Sequence, residues 1–164
     1  MSVLVNEGLN LEIIDIISDI STKLKTKTFL VGGYVRDLLI GRKSKDIDVL
    51  VIGDGISFAS EVKKKLDSKA NLQIFKNFGT AMIAYNDLEI EFVGSRKESY
   101  QKNSRNPVVS IGTFEDDISR RDFTINSIAI SLNEDNKGKI IDLFDGVHDF
   151  CLLYTSDAAD ELLG

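Results

Sequence analysis

The chain has little of what small proteins commonly use as structural supports. One cysteine, one histidine and one proline occur among 164 residues, and tryptophan is absent. The lone cysteine, Cys151, has no partner for an internal disulfide and excludes a cysteine-based zinc site. The lone histidine, His148, excludes multi-histidine metal chemistry and reads as a surface-loop residue. No apolar run approaches the roughly 18–20 residues of a membrane span, and the N-terminus lacks the basic-then-apolar order of a secretory signal. These absences predict a cytoplasmic protein with no membrane partner. Positive charge is short as well: 20 Lys and Arg stand against 26 Asp and Glu, for a net charge of −6. A broad nucleic-acid surface is normally basic. An RNA partner would therefore be gripped by a local patch or by residues outside this chain. What remains is 43% hydrophobic and 28% charged residues, the balance of one folded domain with a proper core.

The most informative stretch is Phe29–Ile52, FLVGGYVRDLLIGRKSKDIDVLVI. Phe29-Leu30-Val31 predicts a short buried strand, Gly32-Gly33 breaks it, and Tyr34–Ile40 carries Val35, Leu38 and Leu39 at helical spacing. A second strand is predicted over Ile47–Ile52, after the turn at Gly41. A strand, two glycines and a helix start form an anion site. The glycines admit a phosphate close to the backbone, and the first helical N–H groups point at it. Arg36, one turn in, can fork onto the same phosphates. Asp46 and Asp48 stand two apart at a strand entry and leave it on one face. Carboxylates held side by side repel unless a cation lies between them. A hard divalent ion such as Mg²⁺ suits them, with phosphate oxygens completing its shell. A phosphate cradle beside such a pair is the apparatus of phosphoryl or nucleotidyl transfer. The plainer alternatives are an ordinary tight turn and two solvated strand-entry residues; it is the closeness of the two motifs that favours a site.

The rest of the chain supplies packing and further charge. Residues 9–25 predict an amphipathic helix, and Ile56–Lys69 predicts another, with Lys63, Lys64 and Lys65 on a solvated face. Strands are predicted over Leu72–Phe78, Thr80–Tyr85 and Leu88–Val93, the last two joined by the two-residue turn Asn86-Asp87. Glu89 and Glu91 share one face of the last strand. They either face solvent or bring a third carboxylate to Asp46 and Asp48. Residues 94–113 show no periodicity and carry Arg96, Lys97, Lys102 and Arg105. They predict a long loop, either a disordered connection or a basic arm over polyphosphate or RNA. In Phe114–Asn133 a helix is predicted from about Thr124 to Ser131, with Arg120-Arg121-Asp122 just before it or in its first turn. Two arginines at a helix start can hold a triphosphate while Asp122 orients one of them or caps the helix. An exposed ion-pair cluster is the plain alternative. Lys139–Leu143 predicts a last strand.

VGGYVRDLLIGRKSKDIDVLVIG and DISRRDFTINSIAI resemble two signatures of the tRNA nucleotidyltransferase and bacterial poly(A) polymerase family, in the class that includes bacterial CCA-adding enzymes. KESY with the downstream PVV continues the resemblance, as does IIDLFDGVHD more loosely. Ser127 stands where that family usually has alanine, and Asp145 where it more often has glycine. The resemblance implies an α+β, polymerase-β-like nucleotidyltransferase head, a mixed sheet of about five strands with helices packed on one face. It implies Asp46, Asp48 and Glu91 as catalytic carboxylates, Asp46 and Asp48 as ligands of Mg²⁺, and Glu91 through its spacing to Arg96. Nucleotide binding is implied for Gly32, Gly33, Arg36, Arg120, Arg121, Asp122 and Asn126. The implied substrates are CTP and ATP and the 3′ end of tRNA, the tRNA being held mostly by domains beyond this one. Residues 1–149 would form the head; 150–164 match nothing expected there and read as a run-on or truncation artefact. Two alternatives share the same residues: a poly(A) polymerase head, and a silent module that binds Mg²⁺-NTP without turnover. A dinucleotide-binding fold ranks last, because Gly32-Gly33 lacks the third glycine of that fingerprint.

Overall fold

The computed structural model describes residues 2–99, 102, 105–106, 108–121, 124–149 and 151–152. Two helices open the chain where the sequence predicts one: α1 (Ser2–Leu9) and α2 (Glu12–Leu24), parted at Leu11, whose backbone is extended at φ −124° and ψ 136°. Ile13, Ile14, Ile17 and Ile20 bury one side of α2. It stops at Lys25, which turns left-handed so that its N–H reaches the carbonyls of Ser21 and Thr22. A buried hydrogen bond of 2.6 Å between the Ser21 and Thr28 hydroxyls ties the helix to the first strand, β1 (Thr28–Val31). Then follow α3 (Gly33–Leu39), β2 (Asp46–Val51) and α4 (Gly55–Lys65), the last capped by Asp54, whose carboxylate accepts from the N–H groups of Ile56 and Ser57.

The next strands are β3 (Asn71–Phe75), β4 (Thr80–Tyr85) and β5 (Leu88–Gly94). Asn86 and Asp87 both take positive φ, 49° and 62°, as a two-residue hairpin turn between β4 and β5 requires. β3 ends earlier than predicted, because Lys76–Phe78 forms a 3-10 turn. The segment predicted as one long loop holds two paired strands, β6 (Arg96–Ser99) and β7 (Val108–Ile111), register Arg96↔Ile111 to Ser99↔Val108. α5 (Phe114–Ser119) follows, started by a capping box between Thr113 and Asp116.

The largest departure from expectation comes next. Thr124–Ser127 is a 3-10 turn, and Ile128–Ser131 is a strand, β8, where a helix is predicted. The reason is burial on both sides: Ile128, Ala129, Ile130 and Ser131 are all buried, Ile128 and Ile130 against one sheet face and Ala129 against the other. A run of apolar residues buried throughout cannot be told from a helix by periodicity alone. β9 (Ile140–Asp142) pairs with β8 and ends the sheet.

The main sheet thus has seven strands rather than five, in the order β3-β4-β5-β2-β1-β8-β9. All its pairs are antiparallel except β2 with β5. Helices α1 to α4 pack on one face, over Leu30, Ile47, Val49, Ile83, Ile90 and Phe92. The helices are not confined to that face. α5 lies on the other, where Phe114 and Ile118 join Phe29, Val31, Leu50 and Ala129 in a smaller apolar cluster, with the Phe29 and Phe114 rings 4.4 Å apart. Beyond the reach of α5 that second face carries acids. Among the described residues no helix is long and apolar enough to cross a membrane.

Candidate active site

The acids gather because strand side chains alternate and because β2 and β5 run parallel in a fixed register. Asp46 pairs with Glu89 and Asp48 with Glu91, so all four carboxylates leave the face opposite α1 to α4. Their exposures differ. Asp46 and Glu89 are exposed at the strand entries, whereas Asp48 and Glu91 are half-buried one step further in. Burial raises the pKa of the Asp48 carboxyl, and the charges of Glu91 and then Asp46 raise it further, with Arg121 acting against them. Asp46, Asp48, Glu91 and Arg121 therefore share one electrostatic site.

Gly32 forms the wall behind Asp48. Its φ of +71° suits glycine, and a methyl group built on it would lie 2.9 Å from Asp48 Oδ2. The β1–β2 register places Val31 opposite Asp48, which sets the glycine pair directly beside the carboxylate. Gly33 opens α3 and lies against the Arg36 guanidinium; a methyl there would be 3.3 Å from Arg36 Nη2. Arg36 Nε and Nη2 both donate to Asp37 Oδ1, at 3.2 and 3.1 Å, on the exposed side of the helix.

Arg120 and Arg121 arrive from the end of a helix, not the start of one. Arg120 closes α5, and both guanidiniums are clasped by Asp117, a fully buried residue. Asp117 Oδ1 accepts from Arg120 Nε and Nη2 at 3.0 and 2.7 Å, and Oδ2 accepts from Arg121 Nη2 at 2.9 Å. Asp122, expected to orient one arginine or cap a helix, lies outside the described residues; among those described, Asp117 is the acid that orients both arginines. Asp117 stands three and four residues before its partners, the helical ion-pair spacing, and that spacing is the signal by which it could have been found. Arg121 keeps one further donor in reserve: its Nε is buried with no acceptor among the described residues. Asn126 lies on the 3-10 turn Thr124–Ser127, which packs against α3.

An acidic row, a glycine wall and two clasped arginines make a site for an anion and a cation together. Among the described residues no three acidic, His or Cys side chains converge tightly enough to make a ready metal shell. The chemistry of the set nonetheless fits a hard cation. The donors are carboxylate oxygens, and Asp48 is pushed toward protonation by burial and then by the charges of Glu91 and Asp46, which a cation would offset. The buried Arg121 Nε correspondingly fits a phosphate oxygen.

Fold and site define a head of the nucleotidyltransferase type. More particularly, the chain belongs to the poly A polymerase head domain family, whose model matches residues 28–151. The A-adding tRNA nucleotidyltransferase of Aquifex aeolicus (strain VF5) is 38% identical over 123 residues, covering 75% of this chain and 15% of that enzyme. The A-adding tRNA nucleotidyltransferase of Halalkalibacterium halodurans is 35% identical over 141 residues, covering 85% of this chain and 33% of that enzyme. Among solved structures, the apo form II of a CCA-adding enzyme superposes with a TM-score of 0.77 at 33% identity, over 90% of this chain and 35% of that one. A tRNA nucleotidyltransferase complexed with a primer tRNA and an incoming ATP analog superposes at 0.70 and 33%, over 82% and 36%. The chain spans 15% and 33% of the length of these two curated relatives.

Proposed function

We propose that this chain is the catalytic head of a tRNA nucleotidyltransferase, moving CMP or AMP from CTP or ATP to the 3′ end of tRNA. The observation that carries the reading is the placing of Asp46, Asp48 and Glu91 on one acidic row, with Arg121 within electrostatic reach of Asp48. In this reading Asp46, Asp48 and Glu91 hold Mg²⁺, which when bound lowers the pKa of the terminal ribose 3′-hydroxyl and neutralises the leaving pyrophosphate. Gly32 and Gly33 let the triphosphate approach the backbone. Arg36, Arg120 and Arg121 balance its charge, and the free Arg121 Nε donates to a phosphate oxygen. Asp117 holds both guanidiniums in place beforehand, so little reorganisation is needed as charge develops in the transition state. Asp122 and Asn126 complete the nucleotide site from the segment that follows α5. The primer tRNA and ATP analog held by one structural neighbour support both substrates, and the A-adding activity in the names of both curated relatives favours AMP. A role in tRNA maturation would place the protein in the cytoplasm.

Calorimetry of CTP and ATP binding in Mg²⁺, with Asp46→Ala/Asp48→Ala as control, tests the reading. Binding that the double variant loses is expected; binding that survives it would sink the metal assignment. In the complete enzyme, product length then separates a few added nucleotides from a poly(A) tail.

A further inference from the structure

On the side of Glu91 away from the glycine pair lies a cleft of about 430 Å³, bounded by Phe75, Phe78, Thr80, Glu91, Arg96 and Arg120. Register explains its make-up. Phe75 pairs with Thr80, and Thr80 with Val93, one row along from Met82 and Glu91 on the acidic face. Phe75 is 40% exposed and Phe78 is 66% exposed. Exposing two neighbouring phenylalanines costs solubility and adds nothing to the core. Arg96 lies over Gly79, where a methyl group would meet its Nη2 at 3.5 Å. Among the described residues the Arg96 guanidinium has no hydrogen-bond or ion-pair partner. Exposed aromatic faces interleaved with an unpaired guanidinium suit an unstacked base and its phosphate.

Sheet order decides which nucleotide. The glycine pair follows β1 on one side of Asp48, and the cleft lies over β5, β4 and β3 on the other. Nucleotidyl transfer is an in-line displacement, with attacking and leaving oxygens on opposite sides of the α-phosphate. A triphosphate seated on the glycine side, with Arg120 on the border between it and the cleft, leaves the rest of the cleft for the nucleophile. We propose that the cleft receives the 3′-terminal nucleotide of a single-stranded RNA acceptor, its base stacked on Phe78 and Phe75 and its phosphate on Arg96, so that its 3′-hydroxyl faces Glu91. The proposal rests on the nucleotidyl-transfer reading and adds the seat of the second substrate.

The test titrates the chain with a fluorescein-labelled RNA pentamer bearing a free 3′-hydroxyl and, separately, with CTP and ATP in Mg²⁺. Phe78→Ala is expected to weaken RNA binding roughly five- to hundredfold, the range for loss of one stacked base, and Phe78→Tyr to restore it. Arg96→Ala should reduce the slope of log K against log salt by about 0.7, the value for one phosphate contact on a single strand. Nucleotide affinity should stay unchanged in all three variants. RNA affinity unaltered by Phe78→Ala, or no RNA binding by the unmutated chain, overturns the proposal. So does a loss of CTP and ATP affinity in Phe78→Ala, which would make the cleft the seat of the incoming base. If nucleotide fails to bind the unmutated chain while RNA binds through Phe78, it is the transferase reading that falls.

Discussion

At the scale of single residues, Asp48 is where stability and chemistry oppose each other. Burial first, then Glu91 and Asp46, raise its pKa against the pull of Arg121. A carboxyl group whose folded pKa lies above its unfolded value, near 3.9, holds its proton more tightly in the native state. Below the unfolded value it costs the fold nothing, and stability then falls as pH rises through the folded value. Asp48→Asn should accordingly raise the thermal midpoint at pH 7 in EDTA, with the gain disappearing below about pH 4. An equal gain at both pH values would show that charge is not the cause. The sequence singled out Asp48 by its two-residue spacing from Asp46 and its apolar strand. It gave no comparable prominence to Asp117, because an aspartate in a run of acids, FEDD, reads as a solvated helix start. Only the fold reveals that Asp117 is fully buried and bonded to two arginines.

At the scale of elements, α5 is the piece that positions the cationic half of the site. Six residues are far too few for a helix to persist alone, so its place depends on Phe114 and Ile118 against Phe29, Val31, Leu50 and Ala129. Phe114→Ala should cost about 3–5 kcal/mol. It should free the amides of residues 114–121 to exchange with solvent and lower CTP affinity more than tenfold. Unchanged nucleotide affinity alongside lost protection would separate the arginines from binding. The elements that were legible in the sequence are those with an unambiguous period or turn. The β4–β5 hairpin follows from Asn86-Asp87, and α4 from the helical spacing of Phe58, Ala59 and Val62, although it ends at Lys65 rather than Lys69. β8 was not legible: IAIS carries no alternation when both faces of the sheet are covered. The β6–β7 pair was hidden too, since its strands are short and Val108, Ser110 and Ile111 are exposed, so they leave no buried face to set a period.

At the scale of the whole molecule, the net charge of −6 puts the burden of anion binding on a few placed arginines rather than on a general field. Nucleotide should therefore stabilise the chain only when a cation accompanies it. CTP with Mg²⁺ at a hundred times its dissociation constant should contribute about 2.7 kcal/mol, a rise in thermal midpoint of roughly 5–10 °C for a chain of this size. CTP in EDTA should leave the midpoint nearly unmoved. An equal rise in EDTA would assign the affinity to the arginines and glycines alone.

The parallel pairing of β2 with β5 also bears on when the candidate site is assembled. Asp48 and Glu91 meet only after α4, β3 and β4 have been made and the chain has returned to lay β5 beside β2. Such a pairing closes a long loop, and contacts of that kind form late and slowly. Arg120 and Arg121 come later still in the chain, held by a helix that needs the finished sheet beneath it. A half-made copy leaving the ribosome thus carries its acids on unpaired strands and its arginines on an unanchored segment. On the nucleotidyl-transfer reading proposed above, neither half of the site is then in place, and the two halves come together only once the finished sheet supports α5.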